Sequence, residues 1–200
     1  MTSAGTRDTV TSRAVLDTAL TLFAERGYHG TALSQIAEVL EVRTPSLYNH
    51  MRSKQELLQT IVADTVRGVL DDFHAAIEGR TEPVDRLYHA VLVYARRHAT
   101  HRREAIVVNR DTSSLEEPFR SQMQELRREH EHALRTIISD GVAADRFVVD
   151  SPALASFAIR EMCVSIARWY QDDGPIGPEQ VAREYTEFAL NIVGLGRIGS

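Results

Sequence analysis

Thr44, Ser46, Tyr48, Asn49 and His50 crowd hydrogen-bonding side chains around the apolar Leu47 in the stretch TPSLYNH. An asparagine amide offers a donor and an acceptor side by side, the pattern that reads adenine, while tyrosine and serine hydroxyls suit phosphate oxygens. These are groups for a DNA groove. Thr44 followed by Pro45 reads as a helix start. The hydroxyl accepts an orphan backbone N–H, and proline loses nothing at the first helical position, so a helix is predicted from about Pro45 to Met51. Two turns are too short to stand alone, and neighbouring elements must carry them.

Other residues suggest different chemistry. Asp71-x-x-His74 and Glu129-x-x-His132 resemble the carboxylate and histidine pairs of di-iron helical bundles, and His98 and His101 form a further i, i+3 pair. A helical metal-binding protein is therefore the alternative reading. Such pairs also arise often on solvated helix faces in a chain with eight histidines, so no metal ligand and no cofactor is expected. Arg160 and Arg168 stand eight residues apart in a mostly apolar helix, and a buried arginine demands an anionic partner. That partner is either a protein carboxylate, such as Asp111 or Glu161, or the phosphate or carboxylate of a ligand. Cys163, the one cysteine, excludes an internal disulfide, and its apolar setting EMCVSIA suits an inert core thiol. No glycine-rich phosphate loop and no serine-centred nucleophile motif is present, so an enzyme is not expected.

The elements that must position these groups are all helical. Ser12 to Arg26 carries a wide apolar stripe (Val15, Leu16, Ala19, Leu20, Leu22, Phe23) and ends at Gly27. Leu33, Ile36, Ala37 and Leu40 mark one face of the next helix, Val42 packs a turn, and Leu47 and Met51 mark the short helix that follows. Ser53 then caps a long helix whose apolar doublets recur every four residues from Leu57 to Phe73, ending near Gly79. Further helices are predicted over Val84–His101, Glu104–Asp111, Phe119–Asp140 (closed by Gly141), Pro152–Tyr170 and Pro178–Leu195. Residues 1–10, with Arg7, read as a frayed arm. The basic tail Arg96, Arg97, Arg102 and Arg103 could bind an anionic ligand, but cations at a helix C-terminus are favoured by its dipole in any case. The fold class is all-α with about nine helices. A helix-turn-helix domain is expected over residues 1–54 and a larger helical domain over residues 55–200.

Bulk properties agree with a globular chain. The 200 residues are 43% hydrophobic, enough to bury a core. No apolar run approaches the roughly 20 residues that span a bilayer, and the start MTSAGTRD lacks a secretory core segment, so a cytoplasmic protein with no membrane contact is expected. The net charge of −5 is unevenly spread. Residues 1–54 hold six basic side chains against five acidic ones, a net of +1, and the remainder carries −6. That bias lets one end approach phosphates while the other stays away.

From Ala14 to about Leu58 the chain resembles the DNA-binding domain of TetR-type transcriptional repressors, through AxxLFAERGYHGTALSQIAEVLEV followed by TPSLYNHMRSKQEL. Two positions depart from that pattern. Glu41 stands where glycine is usual at the turn, at a cost on the order of 1 kcal/mol for positive φ, and Ala32 stands where a capping Ser or Thr is common, so that Thr31 is expected to cap instead. The resemblance implies base-edge contacts from Thr44 and Asn49, with Ser34 and Gln35 on the supporting helix, and phosphate contacts from Ser46, Tyr48, His50 and Lys54, beside Arg43 and Pro45. The ring of Tyr48 packs on the first helix in the competing reading. A homodimer paired through its last two long helices is implied, on a near-palindromic double-stranded operator. The stretch RWYQDDGPIGPEQVAREY is also similar to the C-terminal region of TetR-type repressors that answer acyl-CoA thioesters. This second resemblance implies that Arg160 meets the CoA phosphates and that Val107, Asn109, Met123, Cys163 and Val164 line an acyl tunnel. Arg168, beside Trp169, belongs either to that site or to the dimer contact.

Overall fold

The computed structural model describes residues 10–195, so the arm read at residues 1–10 falls outside it except for Val10. Among the described residues there are nine α-helices and no strand: α1 (Ser12–Arg26), α2 (Leu33–Val39), α3 (Thr44–Leu47), α4 (Lys54–Ile77), α5 (Pro83–Thr100), α6 (Arg102–Asp111), α7 (Phe119–Ala143), α8 (Pro152–Trp169) and α9 (Pro178–Ile192). No helix is long and apolar enough to cross a membrane.

Two hydrophobic cores organise these helices. The first gathers Val15, Ala19, Phe23, Ile36, Ala37, Leu47 and Met51 with Leu58 and Val62 of α4. It also takes Val107, Val108, Leu115 and Met123 from further along the chain. The second is built around α5, which packs against α4, α7, α8 and α9, and holds Phe73, Leu87, Val91, Ile137, Ile159, Ile166 and Leu190. Helix α4 belongs to both. Its 24 residues, capped by Ser53 Oγ accepting from Glu56 N at 3.1 Å, extend about 36 Å.

Several local details depart from the sequence reading. Thr31 does not cap α2. Its hydroxyl donates to the carbonyls of Leu22 and Gly27 at 3.1 and 2.9 Å, tying the loop to α1. The cap residue is Ala32, whose N–H is accepted by Gln35 Oε1 at 2.8 Å. Thr44 does not cap α3 either, because Arg43 is the cap residue and Thr44 is already the first helical residue. Helix α3 is shorter than Pro45–Met51. After Leu47 the chain tightens into i→i+3 bonds, with Tyr48, Asn49 and His50 N–H donating to Pro45, Ser46 and Leu47. Glu41 adopts φ 54, the strained turn expected of a non-glycine there.

Gly141 does not end α7. The helix runs on to Ala143, and the glycine is needed because the buried ring of Phe147 lies where a Cβ would stand. The basic tail is more than a dipole complement. Arg96 pairs with Glu179 at 3.1 Å and Arg97 with Asp72 at 2.5 Å. Arg102 donates to the Ala167 carbonyl at 3.2 Å.

Candidate functional site

The helix-turn-helix face is set by two buried pegs. Leu47 is wholly buried and Met51 nearly so, which fixes α3 on the first core and turns the alternate side chains outward. Arg43, Pro45, Tyr48 and Asn49 are exposed, while Thr44, Ser46 and His50 are half-buried. Tyr48 is 57% exposed, so its ring stands out instead of packing on α1. His50 Nδ1 lies 3.4 Å from Ser12 Oγ. On α2, Ser34 is exposed, but Gln35 spends its amide oxygen on the helix start.

Lys54 departs from the phosphate role given to it. Its ammonium donates to the Tyr28 and Thr31 carbonyls at 2.9 and 2.8 Å and sits 4.3 Å over the Tyr28 ring. Desolvation there holds its pKa below the ordinary lysine value. The chain's one lysine is a tie between α4 and the α1–α2 loop.

The second candidate site is a partly open cavity of about 50 Å³ lined by α4, α5, α6, α7 and α8. Thr65, Val66, Val69 and Leu70 of α4 and Ala105 and Val108 of α6 supply its apolar wall. Its polar groups, besides Thr65, are Tyr94, Arg97 and His98 of α5, His101 between α5 and α6, Asn109 of α6, Arg127 and His130 of α7, and Arg160 of α8. His98 Nδ1 meets the Tyr94 carbonyl at 2.8 Å. The His130 ring lies 5.0 Å from Phe73 and 4.8 Å from Tyr94. Burial pushes both histidines down to about 4, so they are neutral near pH 7. Burial likewise raises the Tyr94 phenol and lowers Arg127. Arg127 donates to Asn109 Oδ1 at 3.0 Å, and Arg160 pairs with Glu161 at 2.9 Å. The Nε atoms of Arg97 and Arg160 and Nε2 of His130 are buried without a hydrogen-bond partner. Beyond Arg127 and Arg160 an open hollow of about 380 Å³ adds Thr112, Ser113, Gln124, Arg128 and Glu131.

Of the ligand residues read from sequence, Asn109 and Arg160 line this cavity. Val107 and Met123 do not. They are buried in the first core beside Leu115, since Val107 lies about 100° around α6 from Val108. Cys163 and Val164 are buried away from the lining, Cys163 in the second core, and burial raises the cysteine thiol, keeping it protonated and inert. Arg168 is exposed. Eight residues make about 2.2 turns, so it is rotated roughly 80° from Arg160 and displaced by about 12 Å. Asp111 pairs with its neighbour Arg110 at 3.0 Å, leaving Glu161 as the carboxylate for Arg160.

The sequence does not mark Tyr94, Arg127 and His130 as site residues, and Arg97 stands in it as part of a basic helix end that could bind an anion. His98 was noticed only as a metal candidate, and His130 lies in EHEHALR, which reads as a solvated charged face. The metal alternative finds no support. Among the described residues no three His, Cys, Asp or Glu groups gather to hold an ion, and the one contact between the two motifs is His74 Nε2 to Glu129 at 3.8 Å.

Comparison with known proteins decides the family. Residues 15–61 match the profile described as bacterial regulatory proteins, tetR family, and residues 80–193 match the tetracyclin repressor-like C-terminal domain. The chain belongs to the TetR family of bacterial regulatory proteins. It is 26% identical over 179 residues to the HTH-type transcriptional repressor KstR2 of Mycolicibacterium smegmatis, covering 88% of this chain and 87% of that one. Among solved structures it is similar to a TetR-family regulatory protein from Rhodococcus RHA1, with TM-score 0.83, 28% identity and coverage of 92% and 96% of the two chains. It shares its fold with AibR, solved in complex with isovaleryl coenzyme A and operator DNA, at TM-score 0.78, 23% identity and coverage of 88% and 96%.

In this TetR-family chain α6 joins the two candidate sites. One side of it, through Ala105, Val108 and Asn109, lines the cavity. From the other side Arg103 pairs with Asp17 at 2.9 Å and donates to Thr21 at 2.7 Å, both on α1. Arg110, one turn pair later, donates to the Phe23 carbonyl and, at 3.2 Å, to that of Ala24, where α1 ends. Just past α6, Ser114 Oγ lies 3.0 Å from His29 Nε2, and its carbonyl accepts from Gln55 Nε2 of α4 at 3.0 Å.

Proposed function

We propose that this TetR-family repressor works as a homodimer, reads a near-palindromic operator with α3, and releases it when an acyl-CoA thioester enters the cavity between α4 and α8. Residues 1–54 carry the DNA reading, and residues 55–200 carry effector binding and dimerisation. Thr44 and Asn49, with Ser34, meet base edges. Tyr48, Ser46, His50 and Arg43 meet phosphates, and Pro45 sets the helix start beside them.

The observation that carries the effector reading is the pair Arg127 and Arg160. These two side chains line both a small, partly open cavity and the wider hollow beside it, and Arg160 keeps a buried, unpartnered Nε. A cationic edge on a mainly apolar cavity fits an anionic carrier with an apolar or neutral cargo. AibR, of the same fold, has been solved with such a ligand. The dimer reading rests on α8 and α9, which leave Leu154, Phe157, Trp169, Phe188 and Ile192 exposed, an apolar surface of the kind that pairs with a second copy. Two α3 helices in such a dimer fall about 34–36 Å apart or a multiple, one turn of duplex per step.

Ligand acts only through its difference in affinity for the DNA-competent and released shapes. The test is a duplex selected from a random pool, bound to the full chain in fluorescence anisotropy and titrated with CoA thioesters. Release is expected in the native chain. Arg160→Ala should keep operator affinity and blunt the release. An unchanged response in that variant removes Arg160 from the effector site.

A further inference from the structure

The cavity is not lined like a hydrocarbon tunnel. His98 and His130 are each 5% exposed and line the cavity without bordering the outer hollow that Arg127 and Arg160 share. His98 already has the Tyr94 carbonyl on its Nδ1. His130 has nothing on Nε2. Its ring packs against those of Phe73 and Tyr94, with centroids 5.0 and 4.8 Å away. A buried polar atom left without a partner is costly, and native structures leave few of them without a reason.

We infer that the effector's acyl group carries an oxygen function, a keto or hydroxyl group, that hydrogen-bonds His130 Nε2, and that unsubstituted alkanoyl thioesters are poor effectors. This deepens the acyl-CoA reading and rests on it. A neutral imidazole nitrogen serves either oxygen. It donates to a ketone in one tautomer and accepts from a hydroxyl in the other. An alkyl chain entering the chamber offers His130 nothing and prevents water from reaching it. A site built around a hydrogen bond rejects the analogue that lacks it far more strongly than an apolar pocket rejects an extra group. His130 is here a specificity-determining residue, and Arg127 and Arg160 hold the anionic carrier common to all the thioesters.

Isothermal titration of the full-length protein tests this with oxoacyl-, hydroxyacyl- and alkanoyl-CoAs of matched chain length, on the native chain, His130→Leu and His130→Gln. The native chain should bind at least one oxygenated thioester about tenfold or more tighter than its alkanoyl counterpart. His130→Leu should abolish that preference while its operator affinity, measured in parallel, stays native, which shows that it folds. His130→Gln should keep part of the preference. If oxygenated and alkanoyl thioesters bind equally, as they would where an ordered water satisfies His130, the effector reading stands and this inference falls. A preference that persists in His130→Leu also overturns it. If no CoA thioester binds while the operator does, the effector reading falls and takes the inference with it.

Discussion

The neutral histidine pair makes the fold sensitive to mild acid. His98 and His130 are pushed down to about 4 by burial, chiefly through loss of water around the charged form. An unfolded histidine titrates near 6.5. Between those values the unfolded chain binds protons that the native chain refuses, so stability falls as pH falls. From pH 7 to pH 5 each histidine withdraws roughly 2 kcal/mol, and the pair about 3–4 kcal/mol. For a chain of this length that corresponds to a melting temperature lower by roughly 10 °C. Carboxylates such as Asp85, held low by its hydrogen bond to Arg80, lose their contribution only further into acid, which leaves this window to the histidines.

Thermal unfolding followed by circular dichroism at pH 7 and pH 5, at fixed protein concentration and ionic strength, reads the drop. A His98→Gln/His130→Gln double variant should lose most of it. If the native and double-variant chains fall by the same amount, the two histidines are not the groups taking up the protons.

Two further outcomes follow from the structure. Tyr48→Phe should weaken DNA binding on all sequences alike, whereas Asn49→Ala should relax preference at particular base pairs, by about 1–3 kcal/mol for the lost bidentate contact; a binding assay on a library of single-base operator variants separates the two patterns, and equal loss everywhere for both contradicts the assignment. Gly141→Ala should destabilise the native chain by up to roughly 2 kcal/mol, because crowding against the Phe147 ring outweighs the helix propensity gained. In a Phe147→Ala background the same change should become stabilising by up to about 1 kcal/mol, so urea unfolding that gives the same sign in both backgrounds refutes the crowding.

Most of the fold was legible because its helices announce their own ends. Ser53 and Ser151 cap α4 and α8 through their hydroxyls, and Pro152 and Pro178 begin α8 and α9. These are local signals, written within a few residues. The failures are long-range or ambiguous. Thr31 carries the side chain of a cap but bonds to carbonyls of Leu22 and Gly27, which no local pattern reveals. Lys54 likewise has carbonyl partners more than twenty residues back. Gly141 looks like a helix terminator until the Phe147 ring is placed over it. In the candidate effector site, periodicity told which residues of α6 and α7 point inward but not into which of two cores. The family resemblance carries Val107 and Met123 to the cavity although they sit in the first core, and the charged run EHEHALR reads His130 onto the surface although it is buried.

The double attachment of α6 has a consequence for the order of events in the cell. Helix α6 lines the cavity and also holds α1 through Arg103 and Arg110, so a shift of this helix would be felt at both ends. Under the proposed function, whatever factor the effector takes from operator affinity, the operator takes from effector affinity. Repressor already seated on its target is then the poorest receptor in the population, and unbound copies fill first. The effector concentration that switches the gene therefore rises with the number of spare repressor copies, which act as a sink, so the chain's own abundance sets the threshold of its response.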